Sequence, residues 1–176
     1  MDQIALDPAK FQDPRVTARG EARATVALRA LDTLWFNTGS LCNLSCGHCY
    51  IESTPKNDAL AYLTHADAAL YLDEIARDRL PTTLIGFTGG EPFMNPEIDA
   101  ILADTLDRGF DALVLTNAMT PMRHHRAALL ALRDRHGAKL RIRVSLDHYA
   151  AGIHEAERGP RSFEATLDGL AWLSAN

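Results

Sequence analysis

The sequence predicts an α/β protein in which four βα units form part of a parallel (β/α) barrel. Three observations carry that expectation. Short runs of β-branched and apolar residues alternate with helical stretches, and no short-period repeat or low-complexity tract interrupts them. Each candidate strand ends at a polar or glycine-rich motif, which is where parallel α/β proteins carry their reactive groups. The chain has 176 residues, 47% hydrophobic and 23% charged, with a formal net charge of −5, which suits one soluble domain with a buried core. That acidic balance argues against a nucleic-acid surface.

The first strand is expected at Thr33 to Asn37, ending at Thr38-Gly39-Ser40 just ahead of Cys42. Thr64 followed by Asp67 is a helix-start box, and Leu70, Leu72, Ile75 and Ala76 recur among charged residues, so a helix is expected from about Ala66 to Arg79, before Pro81. A second strand, Thr83 to Thr88, leads into Gly89-Gly90-Glu91-Pro92. Asn95 then reads as a cap and Pro96 as the first helical residue, with Arg108-Gly109 as the stop. The third strand, Ala112 to Thr116, has Asn117 at its tip and precedes a helix from near Arg123 to His136, closed by Gly137. In the fourth, Leu140 to Leu146, the alternation places Leu140, Ile142, Val144 and Leu146 toward helices and Arg141, Arg143, Ser145 and Asp147 toward a cavity. A last helix is expected over Ser162 to Ser174. Residues 1–32 read as an N-terminal extension ahead of a core domain over 33–176, with a strand suggested by the alternation from Arg23 to Leu28.

Cys42, Cys46 and Cys49 are the only cysteines, so all sulfur chemistry lies in the loop Cys42-Asn43-Leu44-Ser45-Cys46-Gly47-His48-Cys49. Thiolates at this spacing can hold three corners of an iron–sulfur cube and leave the fourth iron open to a small molecule. Other readings compete. Positions i, i+4 and i+7 also fit one face of a buried helix, but Asn43, Ser45 and Gly47 are poor helix formers and Pro55 follows. A structural zinc site needs four ligands, and only one Cys-x2-Cys pair exists, with His48 between its members. A disulfide is disfavoured by the odd count and by an N-terminus, Met1 to Pro8, with an acid where a secretory leader is basic. The cysteine run closely resembles the signature of the radical S-adenosylmethionine (SAM) superfamily.

Further segments extend the resemblance over about residues 33–173. Gly89-Gly90-Glu91-Pro92 is similar to the family turn whose backbone and glutamate take up the ammonium of SAM, although alone it reads as a tight loop. Ser145 stands where the family places a polar residue facing the SAM ribose; Ser145 and Asp147 otherwise read as a strand end and a helix cap. Asn117, at the tip of the third strand, belongs to the same expected cofactor-binding set. His154-Glu155-Ala156-Glu157-Arg158-Gly159 is similar to the His-Asp-x-x-Arg-Gly run of sulfatase-maturing and peptide-modifying members, with Glu155 in place of aspartate. The resemblance gives Arg158 the SAM carboxylate, the alternative being a surface ion pair with Glu155 or Glu157. His48 takes the slot of an aromatic residue whose backbone faces the adenine. His65, His124, His125, His136 and His148 show no convergent partners and read as surface or capping groups.

The resemblance implies a [4Fe-4S] cluster on Cys42, Cys46 and Cys49, SAM on its open iron, and one-electron reduction by a flavodoxin- or ferredoxin-like partner. SAM then cleaves to methionine and a 5′-deoxyadenosyl radical, which takes hydrogen from a substrate of unspecified class. Cores of the family have about six βα units. Four units suggest a minimal enzyme, one part of a split enzyme completed by a second polypeptide or by self-association, or a truncated iron–sulfur and SAM-binding module without turnover. No segment approaches membrane-spanning length, so a cytoplasmic protein without membrane or nucleic-acid partners is expected.

Overall fold

The computed structural model describes residues 12–176, so the reading of Met1 to Pro8 lies outside the described part. Four strands, β1 (Thr33–Asn37), β2 (Leu84–Thr88), β3 (Asp111–Thr116) and β4 (Leu140–Val144), lie side by side in sequence order and all run parallel. Parallel neighbours require crossovers. These contain α1 (His65–Asp78), α2 (Ile98–Asp107), the single turn α3 (Thr120–Arg123) and α4 (Arg126–His136), while α5 (Ala151–Arg158) and α6 (Ser162–Ala175) follow β4.

Alternation along the strands decides where the core sits. Phe36, Ile85, Phe87, Ala112 and Val114 share one cluster with Leu72 and Ile75 of α1, Ile101, Leu102 and Leu106 of α2, and Leu129 and Leu132 of α4. Each of these side chains larger than alanine contributes about 1.5–3 kcal/mol on leaving water. The intervening residues form the opposite face, where Trp35, Gly86, Leu113 and Arg141 stand level with one another. The Trp35 ring occupies the space a Cβ on Gly86 would need, 2.3 Å from its nearest atom.

The expected start box of α1 forms: Thr64 Oγ1 accepts the Asp67 N–H at 3.0 Å. Four expectations are corrected. The second helix begins at Ile98 rather than Pro96: Asn95 Oδ1 closes a local turn by accepting Glu97 N–H at 2.8 Å, while its Nδ2 donates to Thr38 O at 3.0 Å and Leu63 O at 2.8 Å, so Asn95 anchors the turn ahead of the helix. The expected helix from Arg123 to His136 is split into α3 and α4, with His125 at the junction bonding Asp99 Oδ1 at 2.8 Å and Phe93 O at 3.0 Å. β4 ends at Val144, since Leu146 N–H turns back to Val144 O at 3.2 Å. Residues 23–28 carry no strand; Val26 and Leu28 are 96% and 79% exposed, and an alternating pattern with no surface to bury against does not fix a strand. The helix α5 was not expected.

Candidate functional site

The cysteine loop leaves the C-terminal end of β1 and is closed at its base, where Leu41 bridges Thr54 and Cys42 N–H donates to Thr54 O at 3.2 Å. Inside it, Cys49 N–H reaches Cys46 O at 3.3 Å and Glu52 N–H reaches Cys49 O at 3.0 Å, with Glu52 left-handed at φ 53°. Two sulfurs already accept backbone N–H groups, Cys42 from Leu44 at 3.4 Å and Cys49 from Ser53 at 3.3 Å. Such bonds favour thiolate over thiol and orient a metal ligand. Against them, burial pushes the Cys42 thiol up to about 11 and raises Cys46, the latter opposed by the Arg158 charge. A cation that displaces those protons relieves the cost.

Gly89 and Gly90 let the end of β2 lie directly on this loop. A Cβ on Gly90 would stand 2.1 Å from Leu41 O, and one on Gly89, at φ +129°, would stand 2.6 Å from Gly39 O. In the space so gained, Gly90 N–H donates to Gly39 O at 2.8 Å and Glu91 N–H to Leu41 O at 3.1 Å. The Glu91 side chain then ties β2 to β3. It is 2% exposed and accepts from Thr116 Oγ1 at 2.7 Å, Asn117 N–H at 2.9 Å and Phe93 N–H at 3.3 Å. Burial raises its pKa in opposition to those donors. Asn117 extends the tie, its Nδ2 donating to Asn43 Oδ1 at 2.8 Å in the cysteine loop.

These ties close a cavity of about 200 Å³ at the strands' C-terminal ends, and it brings together Cys42, Cys46, Cys49, His48, Gly89, Gly90, Glu91, Asn117, Ser145 and Arg158. Of the expected site residues only Asp147 lies outside it. Asp147 lines a neighbouring cavity and holds Arg158 in a bidentate pair, Nε to Oδ2 at 2.6 Å and Nη2 to Oδ1 at 2.9 Å, which keeps its carboxyl below the usual range. Arg158 makes no ion pair with Glu155 or Glu157. Glu157 instead meets His48 Nδ1 at 2.9 Å, and its carbonyl accepts Gly47 N–H at 3.0 Å, so α5 grips the cysteine loop. The other histidines are more engaged than the sequence suggested: His65 Nε2 lies 3.2 Å from Asp104 Oδ2, and His125 is doubly bonded as above.

Sequence reasoning missed Ser53, Thr88 and Thr116 and gave His154 no role beyond its place in the motif ahead of Arg158. Thr88 and Thr116 are the last residues of their strands, a positional signal that was present. His154 is fully buried; its Nδ1 accepts Asp147 N–H at 3.3 Å, and its ring meets Phe163 edge-on at 5.6 Å. Ser53 lines the cavity beside Cys49, and its buried Oγ has no partner. A buried hydroxyl left this way is what a bound group would satisfy. Among the described residues no three His, Cys, Asp or Glu side chains converge on a single ion, whereas three thiols share one cavity wall with two backbone donors already on sulfur. That donor set fits a cluster held at three corners, with SAM beside it.

Fold and site together define a parallel βα protein that gathers three thiols and a ring of polar groups at its strand ends. The sequence matches the radical SAM superfamily over residues 36–176, and the chain belongs to that family. It is 33% identical over 135 residues to the AdoMet-dependent heme synthase of Methanosarcina barkeri (strain Fusaro), covering 75% of this chain and 36% of that protein. It is 33% identical over 134 residues to the antilisterial bacteriocin subtilosin biosynthesis protein AlbA of Bacillus subtilis (strain 168), covering 76% and 28% respectively. GTP 3′,8-cyclase 2 of Mycobacterium tuberculosis (strain H37Rv) is 28% identical over 172 residues, or 89% of this chain and 48% of that one. The fold is shared with Streptococcus suis SuiB bound to S-adenosylmethionine, at a TM-score of 0.65 and 16% identity over 82% of this chain and 31% of that one. The chain thus spans about a third of the heme synthase and of SuiB. Among the described residues no helix is long and apolar enough to cross a membrane.

Proposed function

We propose that Cys42, Cys46 and Cys49 hold a [4Fe-4S] cluster, and that the cavity beside them binds SAM for reductive cleavage and hydrogen abstraction from a substrate. The observation that carries this reading is the single cavity, which gathers the cysteines with residues from the ends of all four βα units. When bound, the cluster supplies the electron that cleaves SAM. The chain's own residues do the rest. Glu91 holds the Thr116 hydroxyl and the Asn117 and Phe93 N–H groups, which fixes the β3 tip beside the Gly89-Gly90 turn in the cavity wall. Arg158, aimed by Asp147, offers its remaining N–H groups to the SAM carboxylate. Ser145 and the backbone near His48 line the places expected for ribose and adenine. Cys46 and Cys49 are half-buried and Tyr50 is exposed, so a flavodoxin- or ferredoxin-like reductant can approach the loop. Three unpaired thiols suit the reducing cytoplasm.

A second reading, a cluster- and SAM-binding part of a larger assembly without turnover of its own, is favoured by the fraction of its relatives that the chain spans. Anaerobic reconstitution separates the two. The first reading expects about four irons per chain, an EPR signal that changes on SAM addition, and 5′-deoxyadenosine after reduction; Cys42→Ala, Cys46→Ala or Cys49→Ala should each abolish the iron. Cluster and SAM binding without 5′-deoxyadenosine favours the second reading. Stoichiometric zinc with no iron removes both.

A further inference from the structure

A second cavity lies against the proposed SAM site. Along β4, Leu140, Ile142 and Val144 pack toward the core, while Arg141 and Arg143 occupy the alternate, exposed positions. The register sets Arg141 level with Leu113 and Arg143 level with Leu115. Arg141 is paired with Asp111. Arg143 makes no hydrogen bond or ion pair among the described residues. It lines a cavity of about 380 Å³ together with Leu115, Ser145, Leu146, Asp147 and Arg158. Leu115, Ser145 and Arg158 also line the cavity that holds the cysteines, so the two spaces share a wall. Of the two arginines there, Arg158 has its carboxylate in Asp147, and Arg143 has none.

We propose that this second cavity takes the substrate, and that Arg143 receives a carboxylate or phosphate group on it; the inference rests on the SAM-cleaving reading above. A guanidinium presents a planar fork matched to either anion, and it is less strongly hydrated than an ammonium, so it gives up water more readily on pairing. Leu115 and Leu146 offer apolar contact beside that charge, which selects an anion on an apolar body over a fully polar one. A molecule anchored on Arg143 lies along the shared wall, next to SAM.

The test uses the reconstituted, SAM-loaded chain and three probes with a common phenyl group: 3-phenylpropionate, phenyl phosphate and the neutral 3-phenylpropionamide, titrated by ligand-observed NMR. At least one anion should bind and the amide should not. Arg143→Gln should weaken the anion by roughly tenfold or more, the loss expected for a charge-assisted contact, and Arg143→Lys should recover part of it. Arg123→Gln, which removes a charge paired with Asp168 elsewhere on the surface, should bind as the parent does. Binding of phenyl phosphate alone assigns a phosphorylated substrate, and of phenylpropionate alone a carboxylic acid. Equal binding of the amide, unchanged anion affinity in Arg143→Gln, or no binding of either anion overturns the proposal. Iron content and SAM affinity are measured on the same sample: their loss defeats the SAM reading itself, whereas a chain that holds both and ignores both anions defeats only this inference.

Discussion

At the residue scale, several side chains in this site hold other groups of the protein in place. Glu91 is the clearest: a buried carboxylate facing three donors has no role for an N–H of its own. Glu91→Gln would turn an amide NH2 toward the Asn117 or Phe93 N–H and leave a donor unmatched, at a cost of about 1–3 kcal/mol. The cofactor-free variant should therefore melt earlier than the parent as well as bind SAM more weakly; an unchanged melting temperature would show that the β2–β3 tie is not carried by this carboxylate. His154 gives a pH signature. Burial and the Arg158 charge hold its imidazole below the usual value, outweighing the upward pull of Asp147 and Glu155. The unfolded chain takes up the proton near pH 6.5 and the folded chain only below that. Stability from this group is thus intact above about pH 6.5 and is lost as pH falls toward the folded-state value. Urea unfolding at pH 7.5 and 5.5 should show a larger acid loss in the parent than in His154→Gln, and equal losses would contradict the assignment. The sequence named Arg158 and Asp147 separately because it gives no distance between residues 147 and 158; their pairing depends on the turn into α5, which no periodicity marks.

At the element scale, glycines decide how closely backbone segments approach. Gly169 of α6 has no room for a Cβ, which would stand 1.9 Å from Ala118 O, while Thr166 on the same helix donates to Asn117 O at 3.1 Å. α6 therefore lies directly on the β3 tip that faces the cavity. Gly152 of α5 has nothing within 4 Å of its Cβ position. Alanine is favoured over glycine in a helix by up to about 1 kcal/mol, so Gly152→Ala should leave stability level or raise it, and Gly169→Ala should lower it against that propensity. Thermal unfolding of the two variants checks this, and a gain in both would mean that α6 adjusts freely over the turn. The strands were legible because burial on one face forces a period of two, as at β4, and α1 was legible because Thr64 and Asp67 mark its start. Asn95 misled because its Oδ1 closes a turn on Glu97 N–H while its Nδ2 holds Thr38 O and Leu63 O, so the helix starts only at Ile98. The pattern from Arg23 to Leu28 misled because alternation fixes a strand only when one side has a surface to cover.

At the scale of the whole molecule, the sheet has two open edges among the described residues, since β1 and β4 each pair on one side only. Exposed strand edges offer rows of unpaired backbone groups to other chains. Beside the β4 edge lies a recess of about 290 Å³ between α4, β4 and α6, in which Leu129, Leu130, Leu140, Ile142, Trp172 and Leu173 form apolar walls beside Arg133 and Asn176. An edge and an apolar recess together are more adhesive than either alone, because a docking strand gains backbone hydrogen bonds and buries side chains at once. The Arg141–Asp111 pair is a partial guard, keeping charge at the edge. The isolated chain should accordingly self-associate with rising concentration, or gain stability from a polypeptide that supplies further βα units. Sedimentation velocity of the reconstituted chain over a tenfold range of concentration decides the matter. A monomer throughout, with cooperative unfolding and SAM cleavage, would show that four units close the site unaided; concentration-dependent association that falls when Arg141 is retained and Ile142→Thr is introduced would locate the adhesive surface at β4, because the recess loses apolar lining while the edge keeps its charge.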